Sequence, residues 1–343
     1  MSVRSAMDPG GVGSLRLQAP LGQGEALTRW TTLARKGTLP HGFLVAGPRG
    51  AGKSTVMGWL AAALLCPSDL DPAHPCGVCR VCTMVANGRH PDVHLLDLAH
   101  DDADRKAWKK SFYVITVEQV RRAQTALQRH AVEGRARILW IEDADCLDEE
   151  GQNALLKTLE EPGAATFLLL EASRPERLLP TVHSRLQRLS VLPLAEPVLR
   201  QQLQQRIPQS AIHFERAIAV ARGSLGAAIL ACTEHAVQIH DLVQSMLAEP
   251  DRLRPVAVAR AALAGQAELH QKLDTARMFL WLLRAELAGR RDALADDAPA
   301  IYGGPSAEPW TTWLEHTLAA ERDLDLLIPP EQVLCACLLS FAQ

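Results

Sequence analysis

Gly47-Pro48-Arg49-Gly50-Ala51-Gly52-Lys53-Ser54, followed by Thr55, carries the spacing G-x-x-x-x-G-K-[ST]. Glycines let a backbone curl until successive N–H groups converge on phosphate oxygens. A lysine at this position reaches the β- and γ-phosphates, and the serine hydroxyl can ligate Mg²⁺. The residues imply binding of a nucleoside triphosphate such as ATP, without establishing hydrolysis. A second candidate is the end of the apolar run Ile138–Ile141, where Glu142-Asp143-Ala144-Asp145 follows. A carboxylate at the tip of a buried strand beside a phosphate loop can hold Mg²⁺, and its neighbour can orient a water; a solvated strand end is the plainer alternative. The third set is Cys66, Cys76, Cys79 and Cys82, spaced C-x9-C-x2-C-x2-C, with Gly77 permitting the turn between ligands. Four thiolates so spaced can close a tetrahedral shell around a structural Zn²⁺. An iron–sulfur cluster would want a further Cys-Pro downstream, which Thr83-Met84-Val85-Ala86 does not provide, and unligated thiols are the remaining alternative. Cys146, Cys232, Cys335 and Cys337 are read as buried apolar residues.

The elements that must position these residues follow from periodicity. Phe43–Ala46 reads as a short buried strand and the residues through Met57, Leu60 and Leu64 as a helix, so the phosphate loop falls between strand and helix as its chemistry requires. Further buried strands are expected at 136–145 and 166–173. Helices are expected from Glu25 to Lys36 and from Glu149 to Leu159, the latter stopped by Pro162. Strands alternating with helices argue a parallel α/β sheet. Beyond Leu194–Pro197 only helices are expected, at 196–206, 211–222, 224–248, 256–265, 268–291 and 308–341. The organisation is thus a flexible entry (1–24), an α/β domain (25–192) with the cysteine knuckle inserted at 66–82, a helical domain (193–245) and a terminal helical bundle (246–343). Residues 101–110 read as a charge-rich loop; Arg121, Arg122 and Arg129 read as one solvated helix face.

Composition sets the outer bounds. The chain has 343 residues, of which 48% are hydrophobic, 22% charged and only 4% aromatic, which excludes wholesale disorder and suits helices built on Leu, Ala and Val. A formal net charge of −3 excludes gripping nucleic acid by charge alone, so any DNA contact must be local or shared with partners. There is neither an apolar run of membrane-spanning length nor a secretory h-region in the first twenty residues, so a cytoplasmic location with reduced cysteines is expected.

Together with the phosphate loop and the cysteine knuckle, Asn153-Ala154-Leu155-Leu156-Lys157-Thr158-Leu159-Glu160-Glu161-Pro162 and Ser184-Arg185 resemble the AAA+ subunits of the bacterial DNA polymerase III sliding-clamp loader. The resemblance covers residues 40–230 well and the remainder in general layout. It implies a P-loop AAA+ parallel-sheet domain, an all-helical lid and a C-terminal helical collar bundle. It further implies ATP, Mg²⁺ and Zn²⁺ as cofactors, and a hetero-pentameric ring with gamma/tau and delta subunits that acts on the beta sliding clamp and primed DNA. Polymerase activity would belong to the whole assembly.

Arg185 falls at the family's arginine finger, which reaches in trans into a neighbour's ATP site; Leu186 replaces the usual Cys after it. His90-Pro91-Asp92 and Arg174-Pro175-Glu176-Arg177-Leu178-Leu179 resemble the stator kind of member rather than the gamma/tau motor kind. Three departures bear on hydrolysis. The acidic pair reads Glu142-Asp143 where the motors have Asp-Glu. Gly223-Ser224-Leu225-Gly226 lacks the lid arginine that senses nucleotide. After the third strand the polar sensor is either Ser173 or absent. The resemblance therefore implies ATP binding with weak or no intrinsic hydrolysis. The alternatives are a gamma/tau-type motor and, more distantly, a P-loop small-molecule kinase, which would leave the knuckle and the NALLKTLEEP run unexplained.

Overall fold

The computed structural model describes residues 17 and 19–341, apart from 49, 72–73, 98–113, 129–130, 134, 250–251, 268, 297–307 and 326–327. Most of the expected entry segment, the charge-rich loop at 101–110, Arg49 and Arg129 lie outside the described residues. The chain divides into two compact units. One runs to Gln202 and regains Gly223–Ala227; the other holds Leu203–Arg222 and everything from Ala228 onward.

The first unit is built on α1 (Gly24–Arg35), β1 (Gly42–Ala46), α2 (Lys53–Leu65), α3 (Arg80–Ala86), β2 (Val93–Leu96), α4 (Val117–Leu127), β3 (Arg137–Ile141), α5 (Glu149–Glu160), β4 (Thr166–Ala172), α6 (Pro180–His183) and β5 (Gln187–Ser190). The five strands form one sheet in the order β2-β3-β4-β1-β5, and every pairing is parallel. Strands of a parallel sheet are buried on both faces, so they read as continuous apolar runs rather than alternating ones. Phe43, Val45, Ile138, Trp140, Phe167 and Leu169 pack on the face that carries α1, α2 and α3. Leu44, Ala46, Leu139, Ile141, Leu168 and Leu170 face the opposite layer, with Val120, Leu155 and Val182. This is the α/β P-loop class expected.

Four expectations change in detail. The strand expected over 136–145 ends at Ile141, because Asp143 takes a left-handed conformation (φ 48°, ψ 47°) that turns the chain out of the sheet. β2 and β5 went unread: each has four residues, and β5 is Gln187-Arg188-Leu189-Ser190 with only Leu189 buried, so neither offers an apolar run. The helix expected over 224–248 is two, α9 (Leu225–Ala231) and α10 (Glu234–Ala248). The Thr233 side chain accepts the Ala236 N–H and so caps a new helix start. The helix expected over 308–341 is also two, α13 (Glu308–Asp325) and α14 (Pro330–Leu339), with proline opening the second.

The remaining helices are α7 (Glu196–Arg206), which spans the division between Gln202 and Leu203, α8 (Phe214–Ala221), α11 (Pro255–Ala262) and α12 (Leu269–Asp296). Among described residues no strand follows Ser190. The 28-residue α12 is about 42 Å long at 1.5 Å per residue, and it packs against α10 and α13. No described helix is long and apolar enough to cross a membrane.

Candidate nucleotide site and metal centre

Three strand ends converge at the phosphate loop. Gly47 donates its N–H to the Ala172 carbonyl at the end of β4 (3.2 Å). A Cβ on Gly47 would lie 2.8 Å from the Val191 carbonyl oxygen, so a side chain there would push the loop off the sheet. Gly50 (φ 73°) and Gly52 (φ 93°) hold left-handed conformations that side chains strain to adopt, and Gly52 leads directly into α2. Pro48 and Ala51 close the turn, the Ala51 N–H donating to the Pro48 carbonyl (3.2 Å). Ser54 and Thr55 follow in the first turn of α2, both half-buried.

Lys53 is buried, and its Nζ donates to the Pro48 carbonyl (3.2 Å) and the Ser173 hydroxyl (3.0 Å). Its third neighbour is a carboxylate that the sequence reading passed over as a site residue: Glu171 Oε1 lies 3.7 Å from Nζ, and Ser54 Oγ donates to Glu171 Oε2 at 2.9 Å. The period of two along a strand explains its aim. Phe167 and Leu169 face α2, so Glu171 does too, paired in register with Val45 just before the loop. Burial pushes the Glu171 carboxyl above its ordinary range; the Lys53 charge and the Ser54 hydroxyl pull it back, while the charge of Asp143 pushes it up again.

Of the acidic pair, Glu142 still follows the sheet, its N–H donating to the Leu96 carbonyl (2.9 Å), whereas Asp143 has turned away. Asp145, the last acid of the same run, is buried and accepts the Ser173 N–H (3.1 Å) and Arg174 Nε (3.4 Å), fixing the end of β4 so that Ser173 meets Lys53. From the far side of the loop Gly226 donates its N–H to the Gly50 carbonyl (3.1 Å), and a Cβ at 226 would lie 3.1 Å from Gly50 Cα. The position where the resemblance expects a sensing arginine therefore packs backbone on backbone, with little room for a side chain.

The cysteines gather at the other end of α2. Cys66 caps its C-terminus, Cys79 caps the N-terminus of α3, and the four sulfurs all lie within 4.8 Å of one another. Sγ–Sγ separations are 3.7 Å (Cys66–Cys76), 3.9 Å (Cys66–Cys79) and 4.0 Å (Cys76–Cys82). A tetrahedron with Zn–S bonds of about 2.3 Å has edges of about 3.8 Å, so the donor set fits that ion; all four cysteines are free of disulfides. Backbone N–H groups turn onto the sulfurs, Cys79 N to Cys76 Sγ (3.3 Å) and Cys82 N to Cys79 Sγ (3.4 Å), as thiolates favour. At Cys76 burial raises the thiol, but the Val78 and Cys79 amides and neighbouring thiols outweigh it and bring its pKa down to about 6. Arg35 and Arg135 both donate to the Cys66 carbonyl (2.9 and 3.1 Å), placing positive charge beside the cluster.

Arg185 belongs to neither group. Its Nε and Nη2 donate to Glu160 Oε1 (2.8 and 2.5 Å) and its Nη1 to the Thr181 carbonyl (2.8 Å). The segment before it is anchored by buried Gln152, which accepts the Leu179 N–H (2.7 Å) and donates to the Arg177 carbonyl (3.3 Å). A Cβ on Gly42 would lie 3.0 Å from the Arg185 carbonyl oxygen. Gly42 begins β1 and Ala46 ends it, so the Arg185 backbone sits one strand length, about 13 Å, from the edge that carries its own phosphate loop.

A family model described as "DNA polymerase III, delta subunit" matches residues 22–195, half of the chain. The chain belongs to that DNA polymerase III family. Named relatives divide between two kinds. A DNA polymerase III subunit delta' from Pseudomonas aeruginosa is 36% identical over 156 residues, 46% of this chain and 44% of that protein. The Escherichia coli subunit delta' is 33% identical over 189 residues, 55% of this chain and 53% of its own length. The Escherichia coli subunit tau is 29% identical over 330 residues, 91% of this chain but 48% of tau. In each case the match spans about half the length of the relative. The resemblance read from the sequence is borne out at the level of the family, with delta' as the kind favoured.

The matched stretch of the family includes the phosphate loop, the cysteines, Glu171 and Arg185, while the Gly223–Gly226 segment lies outside it. Glu171 had a readable signal: a lone acid in the otherwise apolar run Phe167–Ala172, where a two-sided strand must supply it a partner. Asp145 was visible as part of the acidic run, but its partners are set by the turn that Asp143 starts.

Proposed function

We propose that this chain is the delta-prime stator of the DNA polymerase III clamp loader, working in the cytoplasm in a ring with gamma/tau and delta subunits that places the beta clamp on primed DNA. The observation that carries this reading is the position of Arg185. It sits on the surface at the sheet edge away from its own loop, in an ion pair with an exposed glutamate, so the triphosphate it can serve is a neighbour's. There its planar guanidinium would stabilise charge developing on the transferring γ-phosphate.

The chain's own pocket is read as binding ATP and Mg²⁺ through Gly47–Thr55, with Glu142 and Asp143 nearby, and as hydrolysing poorly. Asp143 has left the strand, Gly226 brings no cation, and Lys53 already has a carboxylate beside it. Cys66, Cys76, Cys79 and Cys82 would hold Zn²⁺, which supplies a structural brace with no open coordination position.

Reconstitution with the other loader subunits tests the stator role. Arg185→Ala should remove about 10³-fold of turnover at the one ATP site it serves, seen as a lower DNA-dependent rate for the ring, while Lys53→Ala should change that rate little. The reverse pattern would identify a motor. Metal analysis of the purified chain should find about one zinc, and its removal should lower the melting temperature; iron with a brown absorbance would overturn the assignment.

A further inference from the structure

We propose that Glu171 is an internal competitor for the phosphate loop: its carboxylate holds Lys53 and Ser54, the two groups that phosphate and Mg²⁺ would use, and nucleotide binds only by displacing it. The inference rests on reading this site as a nucleotide site and adds its regulation.

β4 is buried along its whole length, and a carboxylate in such a strand is tolerated only with partners in place. The partners here are not incidental. From the end of β4, Glu171 meets the ammonium that would reach the β- and γ-phosphates (3.7 Å) and the hydroxyl that would ligate Mg²⁺ (2.9 Å). Both contacts fall at the first turn of α2, where backbone N–H groups and the helix dipole favour an anion.

Charge balance makes the occupancy exclusive. Lys53 already faces Glu171, whose carboxyl also feels the charge of Asp143. Polyphosphate added beside an undisplaced Glu171 would put further negative charge against the same ammonium. Opening therefore comes first, and the apparent affinity is reduced by the fraction of molecules that are open. A closed-to-open ratio of ten or more makes that reduction about tenfold or more.

Calorimetric titration of the full chain with ADP and with ATP, each with and without Mg²⁺, tests this in wild type, Glu171→Gln, Glu171→Ala and Lys53→Ala. Glu171→Ala should bind both nucleotides at least about tenfold more tightly than wild type, Glu171→Gln should fall between them, and Lys53→Ala should lose binding. Thermal melts of the same proteins separate a structural role: a glutamate that only braces the fold would lower the melting temperature of the variants without tightening nucleotide. Unchanged affinity in both Glu171 variants, with wild type binding well, overturns the competition and leaves the nucleotide site standing. Weaker Mg²⁺·ATP binding with Mg²⁺-free ADP unaffected would make Glu171 a metal ligand and also overturn it. No binding by any of these proteins at millimolar nucleotide would remove the nucleotide reading itself, and this proposal with it.

Discussion

Lys53 and Arg185 are both cations suited to phosphate, and each is held by a glutamate of the same chain. Lys53 and Glu171 are 4% and 10% exposed; Arg185 and Glu160 are 35% and 50% exposed. The pairing chemistry is alike and the consequences differ. A solvent-exposed pair gains about 0–1 kcal/mol, because water and salt screen it and two long side chains must be ordered to form it. Breaking the Arg185–Glu160 ion pair therefore costs little. Removing one member of a buried pair strands the other without water, and this typically costs about 3–5 kcal/mol. Lys53 is committed to its own chain until something equally anionic takes the place of Glu171.

The strongest way to break this contrast is Lys53→Ala. Urea unfolding should show a loss of about 3 kcal/mol or more, tempered because Glu171 can take up a proton once its cation is gone. Glu171→Ala in the same background should restore much of that loss, so the double-mutant cycle should show a large non-additive term. Additive single losses would mean that Lys53 and Glu171 are neighbours without being partners, and the inner half of the comparison would fail.

A third pair gives the comparison an intermediate point. In the second unit His240 Nε2 donates to Glu286 Oε1 at 2.7 Å, joining α10 to α12, with exposures of 8% and 20%. The hydrogen bond from His240 holds the Glu286 carboxyl below its ordinary value; burial opposes this, and the His240 and Arg290 charges and Gln244 assist. A depressed folded pKa has a definite sign. The contribution is fully present above the unfolded value, near 4.5, and is lost as pH falls through the lower folded one. Glu286→Gln should cost about 2 kcal/mol near neutrality, the scale of a hydrogen bond to a charged group, and should flatten the acid limb of the stability curve. An unchanged acid limb would show that Glu286 does not carry it.

The parts of the site that the chain made legible are those whose function depends on local spacing. The phosphate loop is eight consecutive residues with a strand before it and a helix after it, and the knuckle repeats a short interval between Cys76, Cys79 and Cys82. Lys53–Glu171 depends instead on the register of β1 against β4, more than a hundred residues apart in sequence. No window of sequence contains that pairing. The sheet was legible where strands are central and apolar, and illegible in β2 and β5, which are short and flank the others. Helix starts at Thr233 and Pro330 were visible as residue types, yet the apolar pattern ran on past them and masked the breaks. Gly226 could be seen to lack a cation, but its tight approach to Gly50 needed coordinates.

The smallest effect belongs to the outer pair and tests the other half of the contrast. Glu160→Gln removes the charge that Arg185 meets on its own chain. Because both side chains reach solvent, folding stability should change by less than about 1 kcal/mol, and less still at high salt. The guanidinium keeps its bonds to the Thr181 carbonyl and Ser184 Oγ, so it stays at the same edge of the sheet. If Glu160 is only a resting place for Arg185, freeing the arginine leaves the reconstituted ring's ATP turnover at or slightly above the wild-type rate. If turnover instead drops as far as it does in Arg185→Ala, Glu160 is aiming the arginine at its target. The outer pair would then be a fixed device like the inner one, and exposure would not be what separates them.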